Sequence, residues 1–291
     1  MKKITKVGLS ALAGALAISS ANAGEVSISG AMEITYITGS GYQDTGNGFG
    51  QDNEFTITAS TELDNGTSVA YKRTVNESFA GNDSELSFGT TFGTIAMTSA
   101  GSPISAIDDK TPTAFEEANA QVGSIDDVNG MDGTFGVRYT LADVMGSGMS
   151  LDAMWSPVHG TGDTHGDQGS SVAHGNGDAV EVTLTGSVPM VEGLSLGIGY
   201  ANLEEIRDYT GTVGASTDDQ DEGTGYITYA YGPFTAGYQV SAVSVGTSNT
   251  LYKTEYIGLS YSVSDNLSVS YNTIESDRTA QDGLVTEQEF D

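Results

Sequence analysis

Residues 54–71 read EFTITASTELDNGTSVAY. Phe55, Ile57, Ala59 and Leu63 fall on one face of an extended chain, and Thr56, Thr58, Ser60 and Glu62 fall on the other. Successive strand side chains point to opposite faces, so a period of two predicts a strand with one apolar and one polar side. Asp64-Asn65-Gly66 then supplies residues that accept positive φ, the chemistry of a tight reversal. The alternation resumes with Val69 and Tyr71, so the stretch predicts two antiparallel strands joined by a short turn.

The same period continues along the chain. It recurs in GTFGVRYTL (Phe135, Val137, Tyr139, Leu141), VEVTLTGSV (Val180, Val182, Leu184, Val188) and LSLGIGY (Leu194, Leu196, Ile198, Tyr200). It also recurs in FTAGYQVSAV and YIGLSYSV. About thirteen such segments can be read, each near the length a tilted strand needs to cross a membrane. Their connections alternate in length. Short ones are Asp64-Asn65-Gly66, Phe92-Gly93, Asp143 to Gly148, Pro189 to Gly193, Gly232-Pro233 and Ser264-Asp265-Asn266. Long polar loops lie between them, including 101–132, 157–178 and 202–223. In an up-and-down meander every second connection falls at the same end, so one end carries tight turns and the other long loops. That asymmetry points to an all-β, transmembrane, antiparallel up-and-down β-barrel.

Composition agrees and excludes alternatives. The chain of 291 residues opens with MKKITKVGLSALAGALAISSANA, in which basic residues, a short apolar run and small residues at Ala21 and Ala23 describe a secretory signal peptide over 1–23. The expected mature domain is 24–291. Without Lys2, Lys3 and Lys6 it carries 7 basic against 39 acidic residues, a balance of −32. Nucleic acid is an implausible partner for such a charge, which demands water, salt or bound cations around it. The absence of cysteine excludes a small disulfide scaffold. Beyond the leader no apolar run is long enough for a membrane helix.

A soluble β-sandwich or a solenoid would also alternate, and a secreted or surface-displayed β-rich binding protein is the alternative reading. Two features favour the barrel. Glu33, Glu62, Lys72, Glu85, Arg138, Asp152 and Glu181 make the inner face too polar for a side-chain core. Tyr36, Tyr200, Tyr231 and Tyr261 sit near strand ends, where membrane-interface girdles are found. Lys72 and Arg73 are adjacent and cannot both face inward without a bulge. With Val69, Tyr71 and Val75 outward, Lys72 faces inward, and Arg73 is expected against a neighbouring subunit or near the membrane surface.

The signal peptide, the first strand GEVSISGAMEITY, the hairpin ELDNGTSVAY, the segment LSFGTTFGTIAM and the long loop after the fifth strand together resemble the general diffusion porins of Gram-negative bacteria, of the alphaproteobacterial type. The resemblance implies a sixteen-stranded barrel whose third long loop folds into the pore, here GSPISAIDDKTPTAFEEANAQVGSIDDVNG at 101–130. It implies a homotrimer in outer-membrane lipid that passes ions and small hydrophilic solutes without cofactor or catalysis. The family usually ends on an aromatic residue and this sequence ends on Asp291, with about thirteen strands and the start of another at VTEQEF. The expectation is therefore a chain incomplete at its C-terminus.

On that resemblance Asp108, Asp109, Glu116 and Glu117 are expected to form an acidic constriction, with Lys72, Arg138, Glu62 and Glu85 on the facing wall. Charges ranged across a narrow gap are how pores select ions, and the excess of acids predicts cation preference. Other motifs carry less. Asp127, Asn129 and Met131 fail the ligand pattern of a calcium loop at its fifth position. His159, His165 and His174 match no zinc spacing and read as part of a solvated loop. The sequence holds no Gly-x-Ser-x-Gly elbow, His-Glu-x-x-His or phosphate loop, so it offers no catalytic signature.

Overall fold

A computed structural model describes residues 14–15, 24–36, 49–76, 81–114, 128–159, 176–205, 219–245, 250–265, 267–279 and 285–290. The chain divides into two compact units, Met1–Thr91 and Phe92–Asp291. In the first, β1 (Gly14–Ala15) is a two-residue strand within the expected leader, followed by β2 (Glu25–Tyr36), β3 (Phe49–Glu62), β4 (Ser68–Asn76) and β5 (Gly81–Thr90). Each pairs antiparallel with the next. The opening stretch forms the expected hairpin. Glu62 faces Ser68 across a turn closed by Leu63 N to the Thr67 carbonyl at 2.9 Å, with Gly66 at φ 79°. Only glycine adopts that φ at no steric cost.

The second unit contains β6 (Gly93–Thr98), β7 (Gly136–Leu141), β8 (Met149–Ser156), β9 (Asn176–Ser187), β10 (Leu194–Glu205), β11 (Gln220–Tyr231), β12 (Phe234–Val245), β13 (Thr250–Ser264), β14 (Leu267–Thr279) and β15 (Val285–Phe290). These too follow one another antiparallel in chain order. Strands β2 to β14 are the thirteen segments of the alternation, and β15 is VTEQEF. Several run further than the hydrophobic pattern suggests. β3 begins at Phe49, β11 at Gln220, and β14 continues to Thr279. The backbone ladder needs no apolar side chains, so it persists where the alternation fades.

Register settles the face of each charged residue in the first unit. Lys72 lies between Thr58 and Glu85 on the polar face. Arg73 lies between Ile57 and Ser84, in the row that begins with Ile28, on the apolar face. The irregularity in this ladder falls between Arg73 and Val75, after the pair rather than within it, so the two cations keep opposite faces.

In the second unit the usual arrangement of a soluble protein is reversed. Ile198, Tyr200, Ile227, Tyr229, Ile257, Leu259, Val269 and Tyr271 are exposed on one face. The other face buries polar side chains beneath the segment that follows β6. A small apolar cluster lies between them. Ile104, Val128 and Met131 of that segment pack with Met154, Ala179, Ala201, Leu203 and Val243 of the sheet.

Candidate functional site

The described parts of the segment after β6, residues 101–114 and 128–134, lie against the polar face of β8 to β14. Pro103, Ile104 and the 3-10 turn Ser105–Ile107 start it, and Ser102 and Ser105 close the turn by reciprocal side-chain bonds. Four strands then hold it by hydrogen bonds to its backbone. In β9, Glu181 accepts from Ile104 N at 3.1 Å and from Met131 N. In β11, Glu222 Oε2 accepts from Asn129 N at 2.8 Å and Gly130 N at 2.7 Å, while Gln220 steadies its other oxygen at 2.7 Å. In β12, Gln239 accepts from Lys110 N at 2.7 Å and donates to the Ile107 and Asp108 carbonyls at 2.8 and 2.7 Å. In β14, Ser270 accepts from Ala114 N at 2.9 Å and Asn272 donates to the Pro112 carbonyl at 3.2 Å.

These contacts make chemical sense together. Glu181 binds both limbs of the segment and Glu222 the returning one, and no arginine or lysine is hydrogen-bonded to either among the described residues. A buried carboxylate needs several donors to offset its lost hydration, and backbone N–H groups supply them here. The segment in turn has backbone groups that no regular ladder satisfies, so each side benefits.

Glycines allow the close approach. A Cβ at Gly199 would come within 2.9 Å of Ile107 Cδ1, and one at Gly237 within 2.5 Å of Pro112 Cδ. At Gly258 it would meet the Pro112 carbonyl oxygen at 2.9 Å and Thr111 Cβ at 3.0 Å. On the returning limb Gly130 has φ 52°, and a side chain there would strike Glu181. The abundance of glycine thus includes a floor on which this segment rests, besides turns.

Of the expected constriction residues, Asp108 and Asp109 stand on the stretch held by Gln239. Asp108 is half-buried and Asp109 exposed. Asp109 lies 3.7 Å from Lys110 Nζ, a cation within the loop that the sequence reading did not single out. Glu116 and Glu117, like Asp126 and Asp127, lie outside the described residues. Arg138, on the polar face of β7, pairs with Asp152 of β8 at 3.0 Å, and Thr140 donates to the same carboxylate. Lys72, Glu62 and Glu85 belong to the first unit, where Lys72 faces Glu85 directly in register and Glu62 ends β3.

His159 is buried, with Nε2 2.9 Å from the Glu204 carbonyl, and serves as a strand-end contact; His165 and His174 lie outside the described residues. Among the described residues no group of three or more His, Asp or Glu side chains is placed to hold a metal ion. In the stretch that fails the calcium-loop pattern, Asn129 and Gly130 turn their backbone N–H groups to Glu222.

A sequence would not reveal Gln239, Glu222, Ser270 or Asn272 as anchors, because each acts on residues 92 to 160 positions away. The one available signal is a polar residue on the inward register of a mid-strand position, which marked Glu181.

The comparisons agree with this arrangement. No curated protein matches the chain. Among solved structures it resembles in-vitro folded OmpT, an outer membrane protein of Vibrio cholerae, with 13% identity, 93% of this chain and 81% of that chain covered, and a TM-score of 0.61. It also resembles a loop L8 deletion mutant of the same protein, with 11% identity, 92% and 86% coverage and a TM-score of 0.56. For OmpF of Salmonella typhi the identity is 12%, the coverage 92% and 83%, and the TM-score 0.53. Such identities establish the fold, that of an all-β up-and-down porin barrel. Residues 8–288 match the family model for Gram-negative porins. The chain therefore belongs to the Gram-negative porin family, the channel proteins of the bacterial outer membrane.

Proposed function

We propose that this porin is a passive, water-filled channel for ions and small hydrophilic solutes that prefers cations, narrowed by the segment from Gly101 to Gly130. The observation that carries the reading is the attachment of this segment to the polar face of the sheet, which supports a constriction bearing Asp108 and Asp109. Glu116 and Glu117 extend the same acidic stretch in sequence. Wall charges come from Lys72, Glu62, Glu85 and Arg138. Because Asp152 already offsets Arg138, the wall opposes the acids only weakly there. Transport needs no cofactor and no catalytic step; it consists of sieving by width and bias by charge.

The apolar face suits outer-membrane lipid, and a homotrimer buries part of it. Arg73 sits in the apolar face of the first unit, where a subunit contact or a lipid headgroup is a better neighbour than hydrocarbon. Charges in external loops count for less than those at the constriction, since salt screens beyond about 8 Å under physiological conditions. Planar-bilayer recordings in a potassium chloride gradient test the proposal. The expected reversal potential has the sign of cation preference. A reversal potential of the opposite sign overturns the preference, and an absence of conducting events overturns the channel.

A further inference from the structure

The geometry points to Gln239 as the residue that positions the charged tip Asp108–Lys110 and thereby sets ion preference, an inference that rests on the porin reading above. Gln239 is completely buried, on the polar face of β12. Its carboxamide is fully used. Oε1 accepts from Lys110 N at 2.7 Å, and the two hydrogens of Nε2 are shared among three acceptors, the Ile107 carbonyl at 2.8 Å, the Asp108 carbonyl at 2.7 Å and Thr224 Oγ1 at 2.8 Å. The orientation has one solution. A backbone N–H can only donate, so the oxygen must face Lys110, and the amino group must face the two carbonyls.

The consequence for the tip is direct. One side chain grips the backbone immediately before and after Asp108 and again at Lys110, so the run Asp108-Asp109-Lys110 has its direction fixed against the wall. Asp109 and Lys110 project from that clamp with 51% and 38% of their side chains exposed, where passing ions meet them. The clamp is itself supported. Thr224 Oγ1 lies 3.0 Å from Ser241 Oγ and donates to the Val240 carbonyl at 3.3 Å, which ties Gln239 to the rigid ladder of β11 and β12. A functional group held by a rigid element and a second layer of hydrogen bonds keeps its geometry better than one on a free loop. Gly237, two residues earlier on the same face, leaves room for Thr111 and Pro112, so the chain beyond the tip continues flat against the wall.

Gln239 touches no ion in this scheme; it acts through the tip. Four proteins separate the possibilities in one experiment: wild type, D108N/D109N, Q239L and the triple variant D108N/D109N/Q239L. Each is refolded, checked for heat-modifiable gel migration, and recorded in a tenfold potassium chloride gradient. D108N/D109N is expected to lower the cation-to-anion permeability ratio several-fold. Q239L is expected to lower it by a comparable factor. The triple variant should fall no lower than D108N/D109N, because the acids that Gln239 positions are then gone, and loosening the Lys110 cation that it also holds does not favour anions further. Q239N, which keeps the amide but shortens its reach, should lower the ratio in the same direction and covers the case in which leucine prevents folding. An unchanged ratio in both Q239L and Q239N, with a lowered ratio in D108N/D109N, overturns the inference and leaves the porin reading intact. A full additional fall in the triple variant also overturns it. An unchanged ratio in D108N/D109N overturns the constriction reading and this inference with it.

Discussion

The two faces of β9 have opposite surroundings although they share one backbone. Val180 and Val182 are 49% and 39% exposed, whereas Ala179, Glu181 and Thr183, interleaved with them, are buried to 3% or less. In a protein dissolved in water the apolar set would be inside. Here the polar set is covered by a loop of the same chain, and the apolar set is left exposed. The difference teaches that each face is shaped by its own contact. The outer face is specified by side-chain hydrophobicity, and the inner one by hydrogen bonds between wall side chains and loop backbone.

The inner face breaks most readily at Glu181. Replacing it with alanine leaves Ile104 N and Met131 N buried without an acceptor, at about 1–3 kcal/mol for each group. Hydrogen exchange at these two amides should accelerate by roughly ten- to a hundredfold, while amides of β13 and β14 keep their protection. Unchanged exchange at both would show that the carboxylate does not hold the loop. The outer face is tested one residue away. Val182→Arg places a cation at the middle of β9 and should cost about 2–4 kcal/mol in equilibrium unfolding from lipid vesicles. A neutral result would mean that this face does not meet hydrocarbon.

A third substitution sharpens the role of the glycine floor. Gly237→Leu puts a side chain where Pro112 lies, and overpacking of this kind costs about 1–3 kcal/mol. Single-channel conductance should change with Gly237→Leu and stay near the wild-type value with Tyr238→Leu, whose side chain is on the exposed face. The smallest expected effect is at Arg138. Its removal as Arg138→Gln releases the partly buried Asp152 from its partner and should raise the cation-to-anion permeability ratio by no more than about fivefold, the scale of a pair worth up to 1 kcal/mol.

Much of the fold was legible because a half-lipid, half-water strand writes its period into sequence. EFTITASTEL, VEVTLTGSV and YIGLSYSV kept their strand assignment, and the tight turns at Gly66, Gly148, Gly193 and Gly232 all have glycine at positive φ. The polar-face register of Lys72, Arg138 and Glu181 was also legible from parity. What parity could not give was pairing. Arg138 meets Asp152 because β7 and β8 are in a particular register, and Lys110 meets Gln239 because the chain crosses the wall over 129 positions of sequence separation. Gln239 stood unremarked inside FTAGYQVSAV, where it looks like any polar residue of an alternating strand. Strand ends were misjudged for a simpler reason: past the apolar belt, at Asn176 or Gln220 inside the expected loops 157–178 and 202–223, the ladder continues with no hydrophobic signal to reveal it.

The central claim is that the loop lies on the wall, and the chain has no cysteine of its own to complicate a direct test. A Cβ built at Gly258 stands 3.0 Å from Thr111 Cβ, so T111C/G258C reaches the disulfide Cβ–Cβ spacing of about 3.8 Å once the loop lifts by somewhat under an ångström. The same shift relieves the contacts of that Cβ with the Pro112 carbonyl at 2.9 Å and Asn272 Nδ2 at 2.6 Å. Mild oxidation of the folded double variant, followed by counting of free thiols, should find both cysteines joined within one chain. Two freely alkylated thiols in the folded protein would contradict the account.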